Sequence, residues 1–396
     1  MSTPVPMPAG GAPVLVMAGG TGGHVFPALA VAAELRARGV PVVWLGARSG
    51  LEARLVPAHG FAVEWLEVAG LRGKGWARRL AAPLMLARAL WQAARVLRRL
   101  RPRLVLGFGG YVSGPAGLMA RLLGVPLLIH EQNAIAGYTN RILARLATRV
   151  CEAFPGAFPA ALGAVTTGNP VRAAIAQLPS PVVRGATHGG RPRLLVLGGS
   201  QGALALNRLV PQALALLPAA NRPEVVHQAG GRMLDEAAAA YREAGVEARL
   251  EPFIDDMAAA YAAADLVVCR AGALTVAELA AAGVASLLVP FPFAVDDHQS
   301  ANGRFLERAG AARVLVQATL TPESLAAELA ALLPDRERLL AMALAARALA
   351  RPDAARTVAE LGLALAHPAP APTNPADPAN PADPANPTNS AQDPRT

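Results

Sequence analysis

Arg270, Gly272, Thr275 and Glu278 follow one short apolar run, Leu266 to Cys269, and Asp296, Asp297, His298, Gln299 and Asn302 follow a second, Ala285 to Val289. One cation, a carboxylate near a helix start and a cluster of amide and hydroxyl groups suit a sugar nucleotide. Arginine neutralises phosphate, glutamate accepts from ribose hydroxyls, and amides read sugar hydroxyls. The same spacing also fits an ordinary strand–helix–strand unit with polar loops, and this stretch alone leaves both readings open.

Two glycine loops point to the same chemistry. Gly19-Gly20-Thr21-Gly22-Gly23-His24 follows the apolar run Pro13 to Ala18, and Gly198-Gly199-Ser200-Gln201-Gly202 follows Pro192 to Leu197. Glycine lets backbone approach a ligand closely, and the helix behind each loop offers free N–H groups and partial positive charge to phosphate. Neither loop matches a stricter pattern: the first lacks the third glycine of the dinucleotide spacing, because Val25 stands there, and the chain has no nucleoside-triphosphate P-loop. It also lacks Asp-x-Asp, a common metal-holding pattern beside nucleotide diphosphates. A diphosphate leaving group would then be stabilised by amides, helix dipoles and arginine, with no metal and no cofactor. A histidine titrates near neutrality, so His24 at the end of its loop is the first candidate for a general base, and Glu131 is the second.

These residues need a frame of parallel strands. Strand, glycine loop and helix open each half of the chain. Expected elements include a helix over Phe26 to Arg38, strands over Val40 to Leu45, Leu104 to Leu106 and Pro126 to Ile129, and a helix from Ala203 to about Leu217. Leu266 to Cys269, Leu274 to Ala282 and Ala285 to Val289 complete a strand–helix–strand unit. The expected fold class is α/β, with two Rossmann-like parallel-sheet domains facing across a cleft where ligands bind beyond the strand ends. Expected boundaries are a leader over 1–12, a first domain over 13–171 completed by a C-terminal helix near 351–366, a second over 172–350, and a disordered Pro-, Asn- and Ala-rich tail over 367–396. Ser180 to Gly190 reads as a linker.

Composition narrows the class. At 396 residues the chain can bury a large core. No uninterrupted apolar run reaches the roughly 18–20 residues that span a bilayer, and the N-terminus lacks the basic and apolar regions of a signal peptide. The two cysteines, Cys151 and Cys269, sit in apolar runs and read as buried thiols. The net charge of +9 is concentrated: no Asp or Glu lies between Val68 and His130, whereas eleven Lys and Arg residues do. Within this region Leu86, Leu90, Ala93, Leu97 and Leu100 share one helical face, with Arg88, Arg95 and Arg99 on another and Trp91 at the border. With Trp76, Arg78 and Arg79 of the preceding stretch, this suits an anionic membrane surface. An amphipathic helix with a merely solvated basic side is the alternative. Nucleic acid is disfavoured, because aromatic platforms and base-reading motifs are missing.

The motifs GGTGGHVFPALA, GFGGYVSGP, HEQNAIAG, TGNPVR, GGSQGA, FIDDM, CRAGALTVAE and DDHQ occur in this order over roughly residues 13–366. Together they make the chain resemble the peptidoglycan glycosyltransferases of family 28, which have the GT-B fold. The resemblance implies inverting transfer of N-acetylglucosamine from its UDP carrier to the 4-hydroxyl of undecaprenyl-pyrophosphoryl-N-acetylmuramyl-pentapeptide. It implies a peripheral location on the cytoplasmic face of the inner membrane, with proteins of wall synthesis and division as further candidate partners. By the same resemblance, Ile254 meets uracil through its backbone and Glu278 meets the ribose. Thr21, Gly22, Gly23, Arg172, Ser200, Gln201 and the Ala273-Leu274-Thr275 turn lie near the phosphates, and Asn133 and Gln299 contact the donor sugar. Tyr111 and His130 shape the acceptor side. Ser300 departs from the pattern of relatives that carry a second glutamine there. A UDP-sugar 2-epimerase on the same fold and a non-enzymatic division scaffold are the rival readings. The acid-free region speaks against the first, and the intact Glu278, Gln299 and glycine loops speak against the second.

Overall fold

The computed structural model describes residues 11–68, 76–185, 190–199, 202–294 and 297–366, with the side chains of 76–81 left out. The expected tail and the first ten residues of the expected leader lie outside the described residues.

Seven parallel strands form the first sheet: β1 (Val14–Met17), β2 (Val42–Gly46), β3 (Ala62–Trp65), β4 (Leu104–Gly107), β5 (Leu127–Glu131), β6 (Arg149–Glu152) and β7 (Val165–Thr166), in the order β3-β2-β1-β4-β5-β6-β7. Six form the second: β8 (Arg193–Leu197), β9 (Glu224–Gln228), β10 (Arg249–Glu251), β11 (Leu266–Cys269), β12 (Ala285–Leu288) and β13 (Ala312–Val314), in the order β10-β9-β8-β11-β12-β13. The central strands read as unbroken apolar runs because both faces are covered. Leu15 and Met17 pack into one layer of the first domain while Val14 and Val16 pack into the other. Leu195 and Leu197, against Leu194 and Val196, divide the second domain in the same way.

The helices of the first half are α1 (Gly22–Ala37), α2 (Glu52–Ala58), α3 (Trp76–Leu100), α4 (Ser113–Leu122) and α5 (Tyr138–Leu143). Those of the second half are α6 (Ala173–Ala176), α7 (Pro181–Gly185), α8 (Leu204–Ala215), α9 (Leu234–Glu243), α10 (Met257–Ala263), α11 (Ala273–Ala282), α12 (His298–Arg308), α13 (Pro322–Leu332), α14 (Arg336–Ala348) and α15 (Ala354–Ala366). Helix α15 crosses back to the first domain and packs on α1 and β4, where Val358 and Ala359 are fully buried.

Three elements differ from expectation. Helix α1 begins at Gly22 and not at Phe26: Thr21 is extended, and Gly22, Gly23 and His24 make the first turn, which puts Pro27 beyond it. Helix α3 begins at Trp76 and spans 25 residues. Its C-terminal half buries Ala89, Ala93, Ala94, Leu97 and Leu100, but Leu86, expected on that face, is 54% exposed and lines the cavity between the two sheets. Within the expected linker a short helix, α7, forms, and Arg184 ties it to the second domain by donating to the carbonyls of Ala282 and Gly283 at 2.6 Å each.

Candidate functional site

A cleft cavity of about 760 Å³ lies between the two sheets, lined by Gly20, Thr21, Gly23, His24, Tyr111, Glu131, Gln132, Asn133 and Asn140 from one side and by Gly272, Ala273, Ala294, His298 and Gln299 from the other. Helix α1 packs against α11, so the N-termini of both helices open on this space. Neither N-cap residue, Thr21 or Gly272, makes a side-chain cap. The first amides of both helices therefore remain available to an anion.

The first loop is held from beneath by Glu52, a fully buried carboxylate on α2. It accepts from the amide of Gly20 at 2.9 Å through Oε2 and from that of Ala47 at 3.0 Å through Oε1. The loop after β4 closes over it. Gly110, with φ of +86°, approaches so closely that a Cβ there would lie 2.4 Å from the Gly19 carbonyl oxygen. Gly109, with φ of +98°, seats the His24 ring: a Cβ would lie 3.0 Å from Cε1 of His24. Only glycine satisfies both demands at these two positions.

His24 is half-buried, and its Nδ1 lies 2.9 Å from Oε1 of Gln132. Behind Gln132 stands His130, whose Nε2 is 2.9 Å from the Gly168 carbonyl oxygen. His130 does not line the cleft. Contrary to the acceptor-side expectation, it is wholly buried beneath Gln132 and beside Phe108, with ring centroids 5.6 Å apart. Burial lowers its pKa to about 4, outweighing the Gly168 hydrogen bond and the Glu131 charge, so the ring is neutral at physiological pH. Tyr111, the other acceptor-side expectation, is 57% exposed on the cavity wall.

Glu131 borders the cleft, but its carboxylate is engaged. Oε1 accepts from the amide and side chain of Asn133 at 2.9 and 3.0 Å, and Oε2 accepts from the Gly137 amide at 3.0 Å and Asn140 Nδ2 at 2.9 Å. With four donors it organises the loop that follows β5. Asn133 is occupied at both ends, since its Oδ1 also takes Nδ2 of Asn302 at 3.3 Å. Asn302, on α12 and fully buried, accepts from the Ala134 amide at 2.8 Å and so clasps the two domains together.

On the second domain, Gln299 accepts from the Phe291 amide through Oε1 at 2.9 Å. That contact uses only the oxygen of the amide, in a residue that lines the cavity. Ser300 donates to Asp297 Oδ1 at 2.6 Å and so serves the start of α12. Arg172 grips Glu278: Nε and Nη2 lie 3.1 and 2.8 Å from Oε1, while the Tyr261 hydroxyl donates to Oε2 at 3.2 Å. Burial raises the Glu278 pKa, and the Arg172 charge and both hydrogen bonds pull it back down. Arg270 donates to the carbonyls of Val289 and Pro290 at 3.1 and 3.3 Å and stacks on Phe291, so it braces the loop after β12. Leu274 and Thr275 are half-buried in the first turn of α11.

Some expected partners are not brought into this space. Ile254 lines a separate cavity of about 550 Å³ between α10 and the β8–β10 strands. Asp256 beside it caps α10 by accepting from the Ala259 amide at 2.9 Å. Ser200 and Gln201 lie outside the described residues, as do the side chains of Trp76, Arg78 and Arg79. Arg88 pairs with Glu67 at 2.5 Å, while Trp91 is 61% exposed with Arg95 over its ring at 5.6 Å. Cys151 and Cys269 are buried free thiols, each pushed up to about 12 by desolvation. Among the described residues no helix is long and apolar enough to cross a membrane, and no group of three or more His, Cys, Asp or Glu side chains could hold a metal ion.

Residues 14–152 match the glycosyltransferase family 28 N-terminal domain, and residues 193–358 match the glycosyltransferase family 28 C-terminal domain. The chain is 62% identical to the UDP-N-acetylglucosamine--N-acetylmuramyl-(pentapeptide) pyrophosphoryl-undecaprenol N-acetylglucosamine transferase of Nitrosococcus oceani, over 89% of this chain and 98% of that protein. It is 58% identical to the protein of the same name from Ralstonia nicotianae, over 89% and 96%. The crystal structure of Acinetobacter baumannii MurG superposes with a TM-score of 0.77 at 44% identity, covering 88% of this chain and 99% of that one. The two facing parallel-sheet domains are thus the GT-B arrangement, and the chain belongs to glycosyltransferase family 28.

Proposed function

We propose that this chain transfers N-acetylglucosamine from UDP-N-acetylglucosamine to the 4-hydroxyl of undecaprenyl-pyrophosphoryl-N-acetylmuramyl-pentapeptide, with inversion at the anomeric carbon. The substrates are those named for relatives up to 62% identical. The observation that carries the chemistry is the shared cavity in which His24 faces Gln299 and the free N-terminus of α11. In a single displacement the acceptor oxygen bonds to the anomeric carbon as the bond to the diphosphate oxygen breaks. UDP leaves with that electron pair, and the hydroxyl proton passes to His24. The free amides at the start of α11 stabilise the departing diphosphate, and Gln299 donates to a sugar hydroxyl. A carboxylate has about four lone-pair sites, so Glu278 keeps capacity for ribose hydroxyls while Arg172 and Tyr261 hold it. Asn133 keeps one N–H and one lone pair for the donor sugar while it holds Glu131 and Asn302. Attachment is to the cytoplasmic face of the inner membrane. The support is the acid-free basic stretch and the exposed Leu84, Leu86 and Trp91 of α3, the nearest of which, Leu86, also lines the cleft. Wall-synthesis and division proteins are further candidate partners.

The test is transfer of labelled N-acetylglucosamine from UDP to a synthetic lipid-linked muramyl-pentapeptide, with anomeric configuration read by NMR. A β-linked disaccharide product is expected. An epimerised sugar or free N-acetylglucosamine as sole product refutes the reading.

A further inference from the structure

A hydrogen bond has a direction, and the hydrogen bonds behind His24 leave only one set of directions. The His130 carbonyl oxygen can only accept, and it lies 2.9 Å from Nε2 of Gln132. Flipping that amide would set two oxygens against each other, so the NH₂ group faces His130 and Oε1 faces His24. A second contact agrees. The Gly168 carbonyl also only accepts, which puts the His130 proton on Nε2 and leaves its Nδ1 as acceptor for the other Gln132 proton at 3.2 Å. The low His130 pKa keeps that ring neutral, so the pattern persists at neutral pH. Oε1 of Gln132 must then accept from Nδ1–H of His24 across 2.9 Å. In the neutral imidazole the remaining nitrogen, Nε2, carries a lone pair, and it makes no hydrogen bond among the described residues. Gly109 backs the ring closely enough to fix its plane.

We propose that Gln132 is a positioning residue for the transfer: it holds the His24 proton on Nδ1 and thereby presents the Nε2 lone pair to the acceptor hydroxyl. This rests on the reading of His24 as the base. When Nε2 takes the hydroxyl proton, the resulting imidazolium keeps its Nδ1–H on Gln132 Oε1, so the amide orients the base without itself exchanging a proton. A third group that orients the base is the general requirement of such sites. Here an amide fills that place, and its own direction is fixed by two backbone carbonyls.

Two measurements on the full chain test this. The first is the imidazole ¹⁵N spectrum of His24, assigned by comparison with His24→Ala. The Nδ1–H tautomer is expected in the wild type, and a shift toward the Nε2–H form common for free side chains is expected in Gln132→Met. An Nε2–H wild-type spectrum overturns the proposal, and needs no variant of Gln132 to fold. The second is a double-mutant cycle on turnover. Gln132→Met should lower kcat by about tenfold to a hundredfold with the KM for UDP-N-acetylglucosamine unchanged, and should cost nothing further in the His24→Ala background. Losses that add independently mean that Gln132 acts elsewhere. If His24→Ala keeps near-normal turnover, the base assignment fails, while the ¹⁵N spectra still decide whether Gln132 sets the tautomer.

Discussion

His24 and Glu131 stand near one another in the cleft, yet their surroundings suit them to opposite work. His24 spends one nitrogen on Gln132 and keeps the other free. Glu131 spends both oxygens on four donors from the segment it must hold. Substitution should separate the two. His24→Ala should lower turnover by about 10²–10⁴-fold, with UDP affinity and melting temperature near wild type, since a half-buried ring at a helix start carries little packing. Glu131→Gln trades an oxygen for a donor among donors, leaving buried groups unpaired. It should destabilise the chain by about 1–3 kcal/mol and lower activity together with the melting temperature. Urea unfolding beside the transfer assay reads both. Full turnover in His24→Ala with loss confined to Glu131→Gln would reverse the assignment.

At the scale of elements, local signals were legible and distant partners were not. Apolar runs ending in glycine gave both sheets and both loops, because a parallel strand buried on two faces is written in a few adjacent residues. The turn before α11 was readable for the same reason. Glu52, Gln132 and the crossing of Asn302 to Ala134 went unread as site features, since each takes its role from a partner far along the chain. His130 was misplaced because a motif conveys proximity to a site but not depth. In α3 a helical wheel placed Leu86 with the buried face, but the wheel cannot show that this part of the helix borders the cleft. The exposed side chains of α3 carry a prediction. Leu84 is 76% exposed and Leu86 and Trp91 more than half exposed, on a helix within a stretch of sequence, Val68 to His130, that contains no acidic residue. Replacing Leu84 and Trp91 by glutamate should abolish co-sedimentation with anionic phospholipid vesicles. Transfer to a short-chain, soluble acceptor should persist, because both side chains are exposed and the buried face of α3 is untouched. Unchanged vesicle binding would move the contact elsewhere.

Among the described residues, each domain buries one neutral histidine. His130 lies under the cleft of the first, and His227 lies in the second, 3.0 Å from the Tyr241 hydroxyl. Burial lowers both to about 4, from 6.5. The unfolded chain therefore binds protons at these sites at a higher pH than the folded chain does. Stability is fully present above about pH 6.5 and is lost as pH falls toward about 4, with an upper limit of about 3 kcal/mol for each imidazole. The melting temperature should thus fall between about pH 7 and about pH 5, before most carboxylates titrate. His227→Gln should flatten that fall without lowering transfer at neutral pH, since its ring is remote from the cleft. His130 is coupled to both properties: its protonation puts a donor on Nδ1, where Gln132 already offers one, and sets the two N–H groups against each other. Loss of activity on acidification should therefore survive in His227→Gln even where the loss of stability is halved. Parallel changes in both properties in that variant would show that the cleft senses pH only through global unfolding.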